Sequence, residues 1–131
     1  MYKDSREFVR DAILTATPAS RLMMLLDRLE VDLKRTEQAF SNGDVYKRNE
    51  ALIHAQEIVL NLRDTLRVDI WSGAAQLKTI YSYIYSEFVK ANIYDDQKSF
   101  EWASSLLMQI IDAWRAANKV VSEKGVVGAT I

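Results

Sequence analysis

The chain of 131 residues has no cysteine, one proline, one histidine and four glycines. Without cysteine there is no disulfide framework, thiolate metal site, thioether-linked haem or thiol nucleophile. A reducing compartment fits this usage but is not required by it. Gly43, Gly73, Gly125 and Gly128 stand apart, so no glycine-rich phosphate cradle exists. Charge of one sign is also missing: 17 basic residues meet 18 acidic ones, for a formal net charge of −1. Nothing in that balance draws the chain to a nucleic-acid backbone or an anionic membrane. No uninterrupted apolar run approaches the ~20 residues of a membrane span. The N-terminal stretch carries Lys3, Asp4, Arg6, Glu7, Arg10 and Asp11 and lacks the apolar core of a signal peptide. The expectation is a soluble cytoplasmic protein with no cofactor, nucleic acid, membrane insertion or small-molecule substrate.

What the chain does contain is one apolar seam repeated with constant spacing. The first copy is Leu22, Leu26, Leu29, Leu33, Thr36 and Phe40, and the second is Leu52, Ala55, Val59, Leu62 and Leu66. The third is Ala74, Leu77, Tyr81, Ile84, Phe88 and Ala91. The fourth is Phe100, Ala103, Leu107, Ile110, Trp114, Ala117 and Val121. Alternating steps of three and four place each set on one helix stripe and suit helices packed at a shallow angle. Four such helices with short polar breaks predict an all-α protein, an antiparallel four-helix bundle. A shorter amphipathic stretch at residues 4–14, with Phe8, Val9, Ala12, Ile13 and Leu14, predicts an additional N-terminal helix. Alone it is too short to be stable, so it must dock or fray.

Local signals set the boundaries. Thr17 and Pro18 suit the N-cap and first position of the first long helix, which should end near Asn42-Gly43. Asp44 caps a helix running to about Val68, and Asp69-Ile70-Trp71-Ser72-Gly73 breaks the pattern. The next helix stops around Asn92, and Asp95 or Asp96 caps the last, which ends near Glu123-Lys124-Gly125. The organisation expected is a lid segment at 1–16, a bundle at 17–124 and a flexible tail at 125–131.

Catalytic chemistry finds no support. A di-metal carboxylate bundle needs two Glu-x-x-His pairs and two further carboxylates. Here His54 is the single histidine, and Glu50 precedes it by four. A solvated or partly packed histidine is expected instead. Asp95-Asp96, beside a break, reads as helix capping. The chain is therefore expected not to be an enzyme.

Apolar side chains outside the seams become the functional candidates. The helix beginning after Asp44 carries a second row, Asn49, Ile53, Gln56 and Leu60. Its carboxamides can hydrogen-bond the backbone of a docked peptide, or the row can simply border a neighbouring helix. Met23-Met24 allow either core packing or an adaptable partner contact. Tyr83, Tyr85, Trp102, Leu106, Met108 and Ile111 also lie off the seams, and a contiguous exposed patch of that kind marks a protein interface.

Several segments together resemble the flagellin-specific export chaperone family, FliS. Phe8, four residues, then Ile13-Leu14-Thr15-Ala16-Thr17-Pro18 is similar to the family's Tyr-x4-apolar-x-Thr-Ala-Ser-Pro entrance. Met24-Leu25-Leu26-Asp27-Arg28 is close to its Met-Leu-Tyr-Asp segment. Asn49-Glu50, Ala55-Gln56-Glu57-Ile58-Val59 and Leu62-Arg63-Asp64-Thr65-Leu66 follow. Leu77 with Tyr81-Ser82-Tyr83, then Ala91-Asn92 with Asp95 or Asp96, and Ala113-Trp114 complete it. The resemblance covers roughly residues 8–117. Departures are Phe8 for tyrosine, Arg21 at an aliphatic place, Leu26 for tyrosine, and Trp71-Ser72-Gly73 in place of a Gly-Gly turn.

The resemblance implies a cytoplasmic chaperone of bacterial motility. Its client would be the C-terminal segment of flagellin, kept from premature polymerisation and delivered to a component of the flagellar type III export gate. The N-terminal segment would cover part of an empty client site. Partner-binding candidates are Phe8 and Ile13 of that segment, Met24 and Leu25, and the row Asn49, Ile53, Gln56 and Leu60. A helical-bundle adaptor for a different protein partner is the alternative.

Overall fold

A computed structural model describes residues 18–69 and 71–123. Four helices follow in order: α1 (Pro18–Asn42), α2 (Val45–Asp64), α3 (Ala74–Tyr94) and α4 (Gln97–Glu123). Each packs on its neighbours in sequence, and α4 returns to pack on α1, closing a four-helix ring. The described residues contain no strand. The expected N-terminal helix, the Thr17 cap and the 125–131 tail lie outside them.

The breaks have identifiable chemistry. Gly43 adopts φ +67°, a left-handed conformation that glycine enters without a Cβ penalty. Its N–H donates to Phe40 O at 3.2 Å, and the Asp44 N–H donates to Ala39 O at 2.9 Å, which ends α1 in a Schellman motif. Asp44 then starts α2, its Oδ1 accepting the Lys47 N–H at 3.0 Å. Asp95 closes α3 in the left-handed region, and Asp96 caps α4 by accepting the Ser99 N–H at 3.1 Å and the Ser99 hydroxyl at 2.8 Å.

Two boundaries differ from the sequence expectation. Helix α2 ends at Asp64 rather than near Val68. Thr65 turns the chain: its N–H and its hydroxyl both donate to Asn61 O, at 3.1 and 2.8 Å. Leu66 still reaches the core from beyond the helix. Helix α3 runs on past Asn92 to Tyr94, because the left-handed turn comes at Asp95.

The seams form the core, with one correction. Leu26, Leu29, Leu52, Val59, Tyr81, Ile84, Phe88, Phe100 and Leu107 are buried. Burying each aliphatic or aromatic side chain is worth roughly 1.5–3 kcal/mol. On α4 the buried isoleucine is Ile111, at 0% exposure, whereas Ile110 is half-buried and Ala117 exposed. Ile110 and Ile111 straddle the stripe, and the flank facing α1 is the covered one. Arg115, one turn on along that flank, reaches Asp27 and Glu30 of α1, at 2.8 Å each.

Polar groups in the interior are matched. The Thr36 hydroxyl donates to Asp32 O at 2.7 Å, and Trp114 Nε1–H donates to the Tyr81 hydroxyl at 2.9 Å. Burial pushes the Tyr81 phenol above its usual value, against the opposing effect of that Trp114 bond. Among the described residues no buried side-chain nitrogen or oxygen lacks a partner.

Candidate functional site

Helical phase decides what each candidate side chain can do. On α2 the buried stripe runs through Leu52, Ala55, Val59 and Leu62. His54 marks the flank facing α1, where it bonds Asp32, and Arg63 marks the flank facing α3, where it donates to the Ser82 hydroxyl at 3.4 Å. At about 100° per residue, Asn49, Gln56 and Leu60 fall on the α3-facing flank, and Ile53 stands at the outer crest. Asn49, Gln56 and Leu60 are half-buried, and Ile53 is 48% exposed.

The α1 candidates lie across the other flank. Leu25 is half-buried against the core on the side of α1 that meets α2, and Met24 points outward at 36% exposure. Asn49, Gln56 and Leu60 are thus brought together, while Leu25 and Met24 are separated from them by the crest of α2. The two Met23-Met24 alternatives resolve by phase: Met23 packs on the core and Met24 does not. Phe8 and Ile13 lie outside the described residues.

Between α1 and α2 runs a cleft of about 680 Å³, lined by Arg28, Arg35, Glu50, Ile53, His54 and Glu57 among others. On its floor the His54 Nδ1–H donates to Asp32, a carboxylate on α1 that is itself buried. Arg28 Nε lies 3.7 Å from the second oxygen. The histidine is therefore partly packed, as its sequence context suggested, and orients toward an acid. Among the described residues no group of three or more His, Cys, Asp or Glu is arranged to hold a metal ion.

Of the off-seam aromatics and aliphatics, Ile111 belongs to the core, and Tyr85, Leu106 and Met108 pack partly against it. Tyr83 and Trp102 remain exposed, at 45% and 61%, on the α3–α4 flank. They are paired: Trp102 Nε1–H donates to the Tyr83 hydroxyl at 3.0 Å.

Sequence reasoning missed a buried clasp at the opposite end. Arg48 donates to the Asn92 side chain at 3.4 Å, to the Asn92 carbonyl at 3.1 Å and to Asp95, and its guanidinium lies 5.2 Å from the centre of the Phe40 ring. A signal existed in Arg48 itself, which precedes Leu52 by one helical turn and so falls on the core stripe. The clasp ties the start of α2 to the end of α3 and keeps the α3-facing flank of α2 in a fixed register.

No helix of the described residues is long and apolar enough to cross a membrane. On α2 the surface sets half-buried and exposed apolar side chains beside carboxamides.

Comparison with known proteins gives the family. The family model for flagellar protein FliS matches residues 1–121. The chain is 31% identical over 110 residues to the flagellar secretion chaperone FliS of Bacillus subtilis (strain 168), covering 84% of this chain and 82% of that protein. It is 30% identical over 109 residues to the flagellar secretion chaperone FliS of Salmonella typhimurium (strain LT2), covering 82% and 81%. On the family model and both relatives the chain belongs to the FliS family, a family of flagellar secretion chaperones and not of enzymes.

Proposed function

We propose that this chain is an export chaperone that binds the C-terminal segment of flagellin in the bacterial cytosol. By covering that segment it prevents premature polymerisation, and it aids delivery to a component of the flagellar type III export gate. The observation that carries the reading is the Ile53 crest, an exposed isoleucine on a rigid helix with carboxamides one turn to either side. The client crosses α2 over Ile53, from Met24 and Leu25 on one flank to Gln56 and Leu60 on the other. Apolar anchors supply burial, while Asn49 and Gln56 pair backbone amides that a dry contact would otherwise strand. A disordered client orders itself on this template, so folding and binding are one event.

Residues 1–16 act as a lid in this scheme, with Phe8 and Ile13 competing for the client surface. Removing them leaves binding intact and tightens it. The gain is small, since a lid closed half the time weakens apparent affinity only about twofold.

Calorimetric titration of the purified chain with flagellin, and with flagellin lacking its C-terminal segment, tests the reading. Binding lost with that segment supports it, and equal binding by both proteins rejects it. The paired Tyr83 and Trp102 favour a second reading, in which the client lies along the α3–α4 flank.

A further inference from the structure

The bundle consists of two helical hairpins. Gly43 and Asp44 join α1 to α2, and Asp95 and Asp96 join α3 to α4, so both short turns lie at one end. The chain links the hairpins only at the far end, through residues 65–73. Chain connectivity therefore does not fix how α2 and α3 lie against each other where the two turns meet. Arg48 makes the joint there, with its side chain only 6% exposed. All three guanidinium nitrogens bond the second hairpin, at Asn92 and Asp95, while the guanidinium lies 5.2 Å from the centre of the Phe40 ring of the first. Asp95 holds φ +53°, a left-handed conformation that aspartate tolerates better than most residues with a Cβ. An apolar side chain would fill the place of Arg48 on the core stripe without desolvating a charge. What the arginine adds is direction, since a rigid fork of N–H donors permits one arrangement of its acceptors where apolar contacts tolerate sliding.

The same seam carries the candidate carboxamides. Asn49 follows Arg48 directly, and Gln56 lies further along the α3-facing flank. Both are half-buried, and neither carboxamide bonds a described residue, so each is open to a docked backbone. Among the described residues the one other side-chain hydrogen bond across this seam runs from Arg63 to the Ser82 hydroxyl, at 3.4 Å. We propose that Arg48 is a positioning residue of the binding surface. By tying the hairpins together it sets the distance between α2 and α3, and so how Asn49 and Gln56 stand to meet a client backbone. The inference rests on the client reading above and adds to it a residue that touches no client.

Calorimetric titration with a flagellin C-terminal peptide tests this, at a temperature where every variant is folded. Arg48→Lys keeps the charge and loses the fork, and should weaken Kd about threefold to tenfold. Asp95→Asn suits the left-handed turn but removes a charged acceptor, and should weaken Kd in the same direction by less. Ile111→Ala is the control for stability alone: it lowers the melting temperature and should leave Kd within about twofold. In a chain already carrying Asn49→Ala and Gln56→Ala, Arg48→Lys should change Kd less than about twofold, because the groups it positions are gone. An unchanged Kd for Arg48→Lys overturns the proposal. So does an effect that persists in full without the two carboxamides, or an equal loss from Ile111→Ala. Each of those outcomes leaves the client on α2. A peptide that fails to bind the unmodified chain, or that binds the Ile53→Asp and double-alanine variants normally, removes the client from α2 and this proposal with it.

Discussion

His54 on α2 donates its Nδ1–H to Asp32 on α1, and Asp32 is 1% exposed. A carboxylate that far from water is costly unless it is bonded. With Arg28 Nε at 3.7 Å, the histidine is the principal partner of that carboxylate. His54→Ala should therefore lower unfolding free energy by about 1–3 kcal/mol in urea titrations. In the His54→Ala, Asp32→Ala double variant the loss should be smaller than the two single losses added, because the stranded acid is gone. Strict additivity would mean the two side chains stabilise the bundle separately.

The α4 stripe gives a second measurement. Ile111 is fully buried in the core, and Ile110 is only half-buried. Ile111→Ala and Leu33→Ala should each cost roughly 2–5 kcal/mol through lost burial and an unfilled cavity. Ile110→Ala should cost clearly less. Equal denaturant midpoints for the two isoleucine variants would contradict this assignment of the stripe.

That pair of isoleucines also marks the limit of what the sequence reveals. Three seams are buried along most of their length, because steps of three and four fix a helix face to within one residue. On α4 two adjacent isoleucines straddle that face, and only the packing of α4 against its neighbours, which the spacing does not encode, selects Ile111. Gly43 and Asp44 were legible because their turn chemistry is local. The Arg48 clasp was not, since it joins residues 44 and 47 positions apart. The candidate row on α2 was legible as a row, but its separation from Leu25 depends on which neighbour each flank meets.

Acid should weaken the α1–α4 seam in a defined way. Arg115 bonding holds the Glu30 carboxyl below its ordinary value, ahead of Lys34 and against the effect of burial. Asp96 is likewise lowered, first by the Ser99 backbone N–H and then by the Ser99 hydroxyl. A carboxyl lowered in the folded state contributes stability above its unfolded value, about 4, and loses it as pH falls through the folded value. Arg115→Gln should thus lower the melting temperature at pH 7, by the equivalent of about 1 kcal/mol or less for a partly exposed pair. The gap from the unmodified chain should narrow progressively below pH ~4 as Glu30 protonates in both proteins. A gap of constant size from pH 7 down to pH 3 would show that the seam does not depend on this ion pair.

Client binding gives the sharpest contrast, between adjacent residues of α2. Ile53 projects from the crest at 48% exposure and takes no part in the core cluster, so Ile53→Asp should leave melting close to normal. In the proposed complex the new carboxylate would lie against an apolar client segment, desolvated and unpaired. The expected loss is about 1–3 kcal/mol or more, a tenfold to hundredfold weaker Kd for a flagellin C-terminal peptide by calorimetric titration. His54→Ala should do the opposite, lowering stability through Asp32 while leaving affinity near that of the unmodified chain. Gln56→Ala should sit between, because a carboxamide that pairs client backbone sets register more than strength. If Ile53→Asp binds the peptide normally while Trp102→Asp does not, the client lies on the α3–α4 flank around Tyr83 and Trp102. That outcome would keep the chaperone reading and move its binding surface.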